Sequence, residues 1–277
     1  MKPAALDFLV CCDCGSPLGL RCDPLVANAE VLEAELVCAT CRRAFLISKG
    51  VPRFSIVPEQ LQSIAASFGF EWTGHAGNVF EKDTVFGRTR EEELEWFLKG
   101  LDISPVQVAG SLVLDAGCGR GRLTSSIGAL APKGVFGVDI SDAVLPAFTE
   151  SVDLQNVHIV QGDVSHLPFL PGTFDYIYSS GVLHHTGDAR AAFSRLAKLL
   201  HPGGKMFVWV YAKRFNPFRF VKSVFDVLGL HGLSHRRLFE LCRLLASLSL
   251  FGLRAYQIVR AIPPLRPRTF WGRNSVR

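Results

Sequence analysis

The sequence predicts an α/β protein built on a doubly wound parallel sheet, with a small cysteine-rich module in front of it and a helical segment behind. Three observations carry this reading. Between Ser111 and Tyr211 short apolar runs alternate with helical stretches, the pattern of parallel strands joined by crossover helices. Six of the eight cysteines fall within the first 41 residues. Residues 213–277 carry 13 Lys+Arg against only Asp226 and Glu240, on amphipathic spacing.

Composition sets the outer limits. Apolar residues make up 48% of the 277 and charged residues 20%, which excludes wholesale disorder. No uncharged apolar run reaches the roughly 18 residues that a membrane-spanning helix needs. Met1 to Val10 contains Asp7 and lacks an apolar h-region, so no secretory signal is expected and the expected location is cytoplasmic. The net charge of +5 is unevenly spread, because residues 1–212 carry 17 basic against 23 acidic side chains. The organisation expected is residues 1–57, a helical connector at 58–110, the α/β domain at 111–212 and a basic amphipathic segment at 213–277.

The first unit is defined by Cys11-Cys12-Asp13-Cys14-Gly15 and Cys38-Ala39-Thr40-Cys41. Each C-x2-C pair can form a tight turn that aims two thiolates inward, and Gly15 lets the chain bend just after the second sulfur. Cys11, Cys14, Cys38 and Cys41 are therefore read as a closed tetrahedral shell for a structural zinc ion. Cys12 and Cys22 fall outside the pairing. A redox pair is the weaker reading, since no strand-to-helix context surrounds it. Leu18, Leu20, Val31, Leu36 and Val37 suit a small antiparallel sheet, with Ala44–Ile47 and Val51–Phe54 as further extended pieces. So small a core needs a staple.

Helical spacing follows at Gln60–Phe70 and Arg90–Leu101, the second with Glu91, Glu92 and Glu93 in the first turn, where the helix dipole favours acid. The aromatic patch Phe68-Gly69-Phe70-Glu71-Trp72 is either plain core or a cover over a ligand pocket.

The α/β unit opens with strand Leu112–Asp115, the glycine turn Ala116–Gly121 and a helix over 122–130. Strands follow at Val135–Asp139, Val157–Val160, Phe174–Ser179 and Met206–Tyr211, with helices at Asp142–Val152 and Asp188–Leu200. Pro202-Gly203-Gly204 is expected to stop the last helix. Asp142 is expected to cap the helix that it opens.

In such a sheet the ligand sits at the carboxyl ends of the strands. Gly117, Gly119 and Gly121 let the backbone approach a ligand closely. Asp115 precedes the turn, where it can orient the turn's amides or meet a cation. Asp139 ends the second strand, where a carboxylate can accept both hydrogens of a ribose diol. Asp163 follows the third strand and suits an exocyclic amine.

The run Leu112-Val113-Leu114-Asp115-Ala116-Gly117-Cys118-Gly119-Arg120-Gly121 resembles the first motif of class I S-adenosylmethionine-dependent methyltransferases. Gly137–Ser141, Gln161–Val164, Phe174–Ile177 and Leu200–Gly204 match the later motifs in order and spacing, so the resemblance covers roughly 105–212. It implies a Rossmann-like fold and S-adenosylmethionine as cofactor. Gly117 and Gly119 would approach the methionine portion, and Asp115 would join them in binding the cofactor. Asp139 would hold the ribose and Ile140 would pack on adenine. Asp163 with Val164 would read the adenine amine, and Ser180 would be a further contact. The N-terminal unit resembles zinc ribbons of the kind found in activator subunits of tRNA methyltransferases, and residues 68–72 resemble a segment between such a ribbon and a methyltransferase core.

The turn after the fourth strand, Ser179-Ser180-Gly181-Val182-Leu183-His184-His185, resembles enzymes that act on quinones, sterols and other small molecules. His184 or His185 is the candidate general base, with local packing or capping as the plainer role. The leading expectation is methyl transfer to a small-molecule or lipid-like acceptor. An RNA methyltransferase acting on rRNA or tRNA bases and a non-catalytic binding protein are the rivals. After Tyr211 no strand pair is legible, only helical stretches at 217–228 and 235–250, so the sheet edge is expected to be truncated or replaced by helices. The basic segment is read as packing on the acidic core, as lying on an anionic membrane surface, or as touching RNA, in that order.

Overall fold

The computed structural model describes residues 1–27, 30–54, 59–76, 87–211, 233–234, 236–245 and 247–248. The chain divides into two units, Met1–Lys213 and Arg214–Arg277. In the first, a 3-10 turn at Pro3–Asp7 leads into an antiparallel sheet of β1 (Leu18–Ala27), β2 (Glu30–Cys38), β3 (Ala44–Ser48) and β4 (Val51–Pro52), in that spatial order. Alternation along β3 explains its role: Phe45 and Ile47 point into the core while Leu46 is exposed, as a period of two requires.

Three helices follow: α1 (Glu59–Ala76), α2 (Arg90–Leu101) and the short α3 (Pro105–Val108). The first carries the helix expected at Gln60–Phe70 on through the aromatic patch. The second begins where its acidic first turn predicted, and Thr89 and Glu92 satisfy its first amides as a capping box.

The second sheet contains β5 (Leu112–Ala116), β6 (Gly134–Asp139), β7 (Val157–Gln161), β8 (Phe174–Ser180) and β9 (Leu200–Trp209). Its order is β7-β6-β5-β8-β9 and every pairing is parallel. The crossovers carry α4 (Arg122–Gly128), α5 (Val144–Glu150) and α6 (Ala189–Lys198). All six residues of β6 and all five of β7 are buried, the signature of strands covered on both faces. Strand order reverses between β5 and β8, which opens a crevice at their carboxyl ends.

The two sheets are joined within one unit. Arg53 bridges to Gln161 in parallel, and the Phe54 amide donates to the Gln161 carbonyl at 2.8 Å. The β4 extension thus covers the free edge of β7, which would otherwise expose unpaired backbone. Lys2 Nζ donates to the carbonyls of Ser151 and Val157 at 3.2 and 3.1 Å. Leu9, Leu36, Phe45 and Phe54 share a continuous core with Leu114, Phe136 and Ile177.

Two local expectations are corrected. The fifth strand begins at Leu200, not Met206, so Pro202, Gly203 and Gly204 lie inside a strand. An irregular register opposite Phe174–Tyr176 accommodates them, with Gly203 at φ +89°. Asp142 is not a helix cap. The N-cap of α5 is Ala143, without a side-chain bond, and Asp142 instead accepts from Arg53 and Gln161 at 3.4 and 3.3 Å. The neighbouring Ser141 hydroxyl meets the Ala143 amide at 3.3 Å, so the carboxylate is left to the cation beside it.

In the second unit residues 236–245 are helical, with Arg243 paired to Glu240 at 3.0 Å and Leu244, Leu245 and Leu248 exposed. The helix expected at 217–228 lies outside the described residues.

Candidate functional site

The crevice at the switch point is built on the glycine turn after β5. The amides of Gly117 and Cys118 donate to the Val138 carbonyl at 2.7 and 3.0 Å, which ties the turn to β6. Gly117 sits at φ +92° and Gly119 at φ +52°, backbone that side chains disfavour. Space forbids a side chain as well. A Cβ on Gly117 would come within 2.1 Å of Val182 Cγ2, and one on Gly119 within 2.8 Å of Trp72 Cε2.

Asp139, at the end of β6, is buried and organises the turn. Its Oδ2 accepts the Gly119 amide at 2.9 Å, and its Oδ1 accepts the Ser141 amide and hydroxyl at 2.9 and 2.7 Å. Burial pushes its pKa up while these hydrogen bonds pull it down. Each carboxylate oxygen has two lone-pair sites, so capacity remains for a ligand hydroxyl. Asp115 lies deeper and does not line the cavity. Burial raises its pKa to about 7, against a 2.6 Å hydrogen bond from Thr124 that lowers it.

A cavity with about 100 Å³ of free volume opens here, with Gly117, Asp139, Ile140, Asp163, Val164, Ser180 and His185 in its wall. Seven residues named from the sequence thus meet at one place; Asp115, Gly119 and His184 do not reach it. Asp163 is held by its own loop, since Oδ1 accepts the Ser165 amide at 2.8 Å. Ile64, Phe68 and Trp72 of α1 also line it, with Val182 and Thr186. Sequence reasoning offered Phe68 and Trp72 only as a patch and missed Ile64. The available signal was their spacing of four residues, which puts all three on one helix face. On the other side of α1 an open groove of about 640 Å³ also reaches Ile140.

The two histidines of the turn after β8, a 3-10 turn at Leu183–His185, separate in role. His185 lines the cavity, edge-on to Phe68 with ring centroids 4.9 Å apart. His184 packs between His185 and Tyr211, at 4.0 and 4.4 Å. Both its ring nitrogens are shielded and have no partner among the described residues. Burial lowers the pKa of each imidazole.

Away from the crevice, the sulfurs of Cys11, Cys14, Cys38 and Cys41 all lie within 4.8 Å of one another. Cys11 and Cys41 are 3.6 Å apart, and Cys14 and Cys38 are 3.4 Å apart. Zinc–sulfur bonds of about 2.3 Å place tetrahedral sulfurs roughly 3.8 Å apart, so the four donors fit a zinc ion. Gly15, at φ +72°, turns the chain back so that its amide meets the Cys11 carbonyl at 2.8 Å.

Comparison with known families agrees with both parts. Residues 114–208 match the family described as a methyltransferase domain, and residues 2–50 match Trm112p-like proteins. The chain carries a class I methyltransferase domain behind a Trm112p-like domain. An uncharacterized protein of Synechococcus sp. is 36% identical over 112 residues, covering 39% of this chain and 27% of that protein. A demethylmenaquinone methyltransferase of Staphylococcus aureus is 35% identical over 98 residues, covering 34% and 41%. A tRNA U34 carboxymethyltransferase of Campylobacter curvus is 30% identical over 132 residues, covering 47% and 43%. The chain therefore spans less than half the length of these relatives. In the methyltransferase domain the motif glycines, Asp139 and Asp163 all sit on the carboxyl side of the parallel strands, where the fold binds its ligand.

Proposed function

We propose that this protein transfers the methyl group of S-adenosylmethionine to a small-molecule or lipid-like acceptor. The observation that carries this reading is the cavity itself. Its lining combines the carboxylates Asp139 and Asp163 with the apolar side chains of Ile64, Phe68 and Val182 and the imidazole of His185.

When bound, S-adenosylmethionine supplies an electrophilic methyl group on a sulfonium. In this reading Asp139 accepts a hydrogen bond from a ribose hydroxyl through Oδ2, while Asp163 and Val164 meet the adenine edge beside Ile140. Gly117, in the cavity wall, would lie along the methionine portion. His185, kept neutral by burial, takes the proton that the acceptor's nucleophile releases. Alignment of donor and acceptor supplies most of the acceleration, and a positioned base adds about 10²–10⁴-fold.

The quinone-type acceptor of the Staphylococcus aureus relative supports an apolar substrate. A second reading, RNA methylation, draws on the Trm112p-like domain and the tRNA-acting relative. The two separate when the protein is incubated with a cell extract and isotopically labelled cofactor. Label in the organic-soluble fraction supports the first, label in RNA supports the second, and cofactor binding without any labelled product points to a binding protein. Among the described residues no helix is long and apolar enough to cross a membrane. Contact of the basic segment with an anionic membrane surface, and residence in the cytoplasm, belong to the proposal. Equal co-sedimentation with neutral and anionic vesicles would remove the membrane contact.

A further inference from the structure

Two loops far apart in sequence converge outside both the cysteine tetrad and the cavity. Cys12 and Asp13 lie in the turn between Cys11 and Cys14, and His166 follows β7. Asp13 Oδ1 is 3.8 Å from Cys12 Sγ and 3.7 Å from His166 Nε2. The three donor atoms lie within 4.8 Å of one another. At 3.7 Å the carboxylate and imidazole are too far apart for a hydrogen bond. Donors round a tetrahedral ion with bonds of about 2.0–2.3 Å stand roughly 3.3–3.8 Å apart. The two separations from Asp13 fall at the upper end of that range, and the third is within 4.8 Å.

We propose that Cys12, Asp13 and His166 form a second transition-metal site, suited to zinc, that links the cysteine module to the loop after β7. A mixed sulfur, nitrogen and oxygen set selects zinc over calcium or magnesium, which require oxygen ligands. A thiolate and a carboxylate balance the two charges of the ion. Arg43 pairs with Asp13 through Oδ2, which leaves Oδ1 to the cluster and orients it as an outer partner does in metal sites. The Phe54 carbonyl stands 3.8 Å from Cys12 Sγ. With three protein side chains and half-exposed surroundings, this site binds more weakly than the closed tetrad.

The site has a consequence for the cavity. The His166 amide donates to the Asp163 carbonyl at 2.8 Å, and Asp163 lines the cavity wall. A metal on His166 would thus pin the Asp163 loop from outside. The proposal stands on this geometry alone and is independent of the methyl-transfer reading.

Titration of the full chain with zinc alone, followed by metal analysis, tests it. Wild type is expected to bind two equivalents, one of which a mild chelator removes. His166→Ala and Cys12→Ser should each keep the tight equivalent and lose the second. His166 has 57% of its side chain exposed, so its removal leaves the fold intact, and the retained tight zinc reports that. With cobalt(II) as probe, the second equivalent should add thiolate-to-metal absorption in wild type and none in Cys12→Ser. One equivalent in wild type, or two retained in His166→Ala, overturns the proposal. Should Cys12→Ser fail to fold, His166→Ala decides alone.

Discussion

The indole of Trp72 lies directly against the backbone of Gly119, so close that a Cβ there would stand 2.8 Å from Trp72 Cε2. Helix α1 and the glycine turn therefore seal one side of the crevice together. Gly119→Ala adds this clash to a left-handed backbone that costs an L-residue about 1–2 kcal/mol. A melting temperature lower by roughly 2–8 °C is expected from that strain, at about 2–4 °C per kcal/mol. A thermal melt unchanged from wild type would contradict both the left-handed strain and the close contact.

Asp139 joins the turn to β6 and, in the proposed function, to the ribose. Hydrogen bonds to a charged group contribute on the order of 1.5–3 kcal/mol. Asp139→Ala should weaken S-adenosylmethionine roughly 10- to 150-fold, at about 1.4 kcal/mol per decade. Calorimetry on the folded variant checks this, and equal affinity removes Asp139 from the site.

Asp115 makes stability depend on pH in an unusual direction. Its folded pKa, raised by burial to about 7 from 3.8, means that between these values the folded state holds a proton that the unfolded chain has lost. The contribution of this group is fully present below the unfolded value and is lost as pH rises through about 7. Asp115→Asn keeps an acceptor for Thr124 and removes the titration. Denaturant midpoints across pH 4–8 should fall less steeply in the variant, and parallel curves would contradict the shift.

His185 should show in the pH–rate profile once an acceptor is known. Burial lowers its pKa below the ordinary 6.5, so the neutral base persists into mildly acidic solution and the acid limb lies below that value. His185→Ala should lower kcat by about 10²–10⁴-fold if the histidine is the base, while His184→Ala leaves the profile's shape intact. Loss of the acid limb in the His184 variant instead would exchange the two roles.

The cysteine tetrad is expected to hold one tight zinc. Structural zinc contributes roughly 10–16 kcal/mol of binding free energy in small peptides, so Cys38→Ser should lose it and unfold the first sheet. Because Phe54 pairs with Gln161, amide exchange should also rise along β7. Zinc retained in the variant, or protection unchanged in β2 and β3, counts against this.

The motifs were legible because each strand end carries its chemistry locally. Asp139, Ile140 and Asp163 stand where the alternation of strand and turn put them, and all three line the cavity. Other residues misled for equally local reasons. Pro202, Gly203 and Gly204 read as a stop signal, yet they form the irregularity inside β9 between Leu200, which pairs with Phe174, and Lys205, which pairs with Tyr176. Asp142 looked like a cap, and only the fold brings Arg53 beside it.

By itself the sequence determined the order of elements, the cysteine tetrad and the polar rim of the crevice, because periodicity, spacing and turn chemistry act over a few residues. The tertiary structure alone decided which residues share the cavity. It brought Ile64, Phe68 and Trp72 to the cavity that Gly117 lines, turned His185 inward and His184 away, and laid the first sheet along β7. Those choices depend on how side chains far apart in the chain fill one another's space, and packing of that kind leaves no local trace in the sequence.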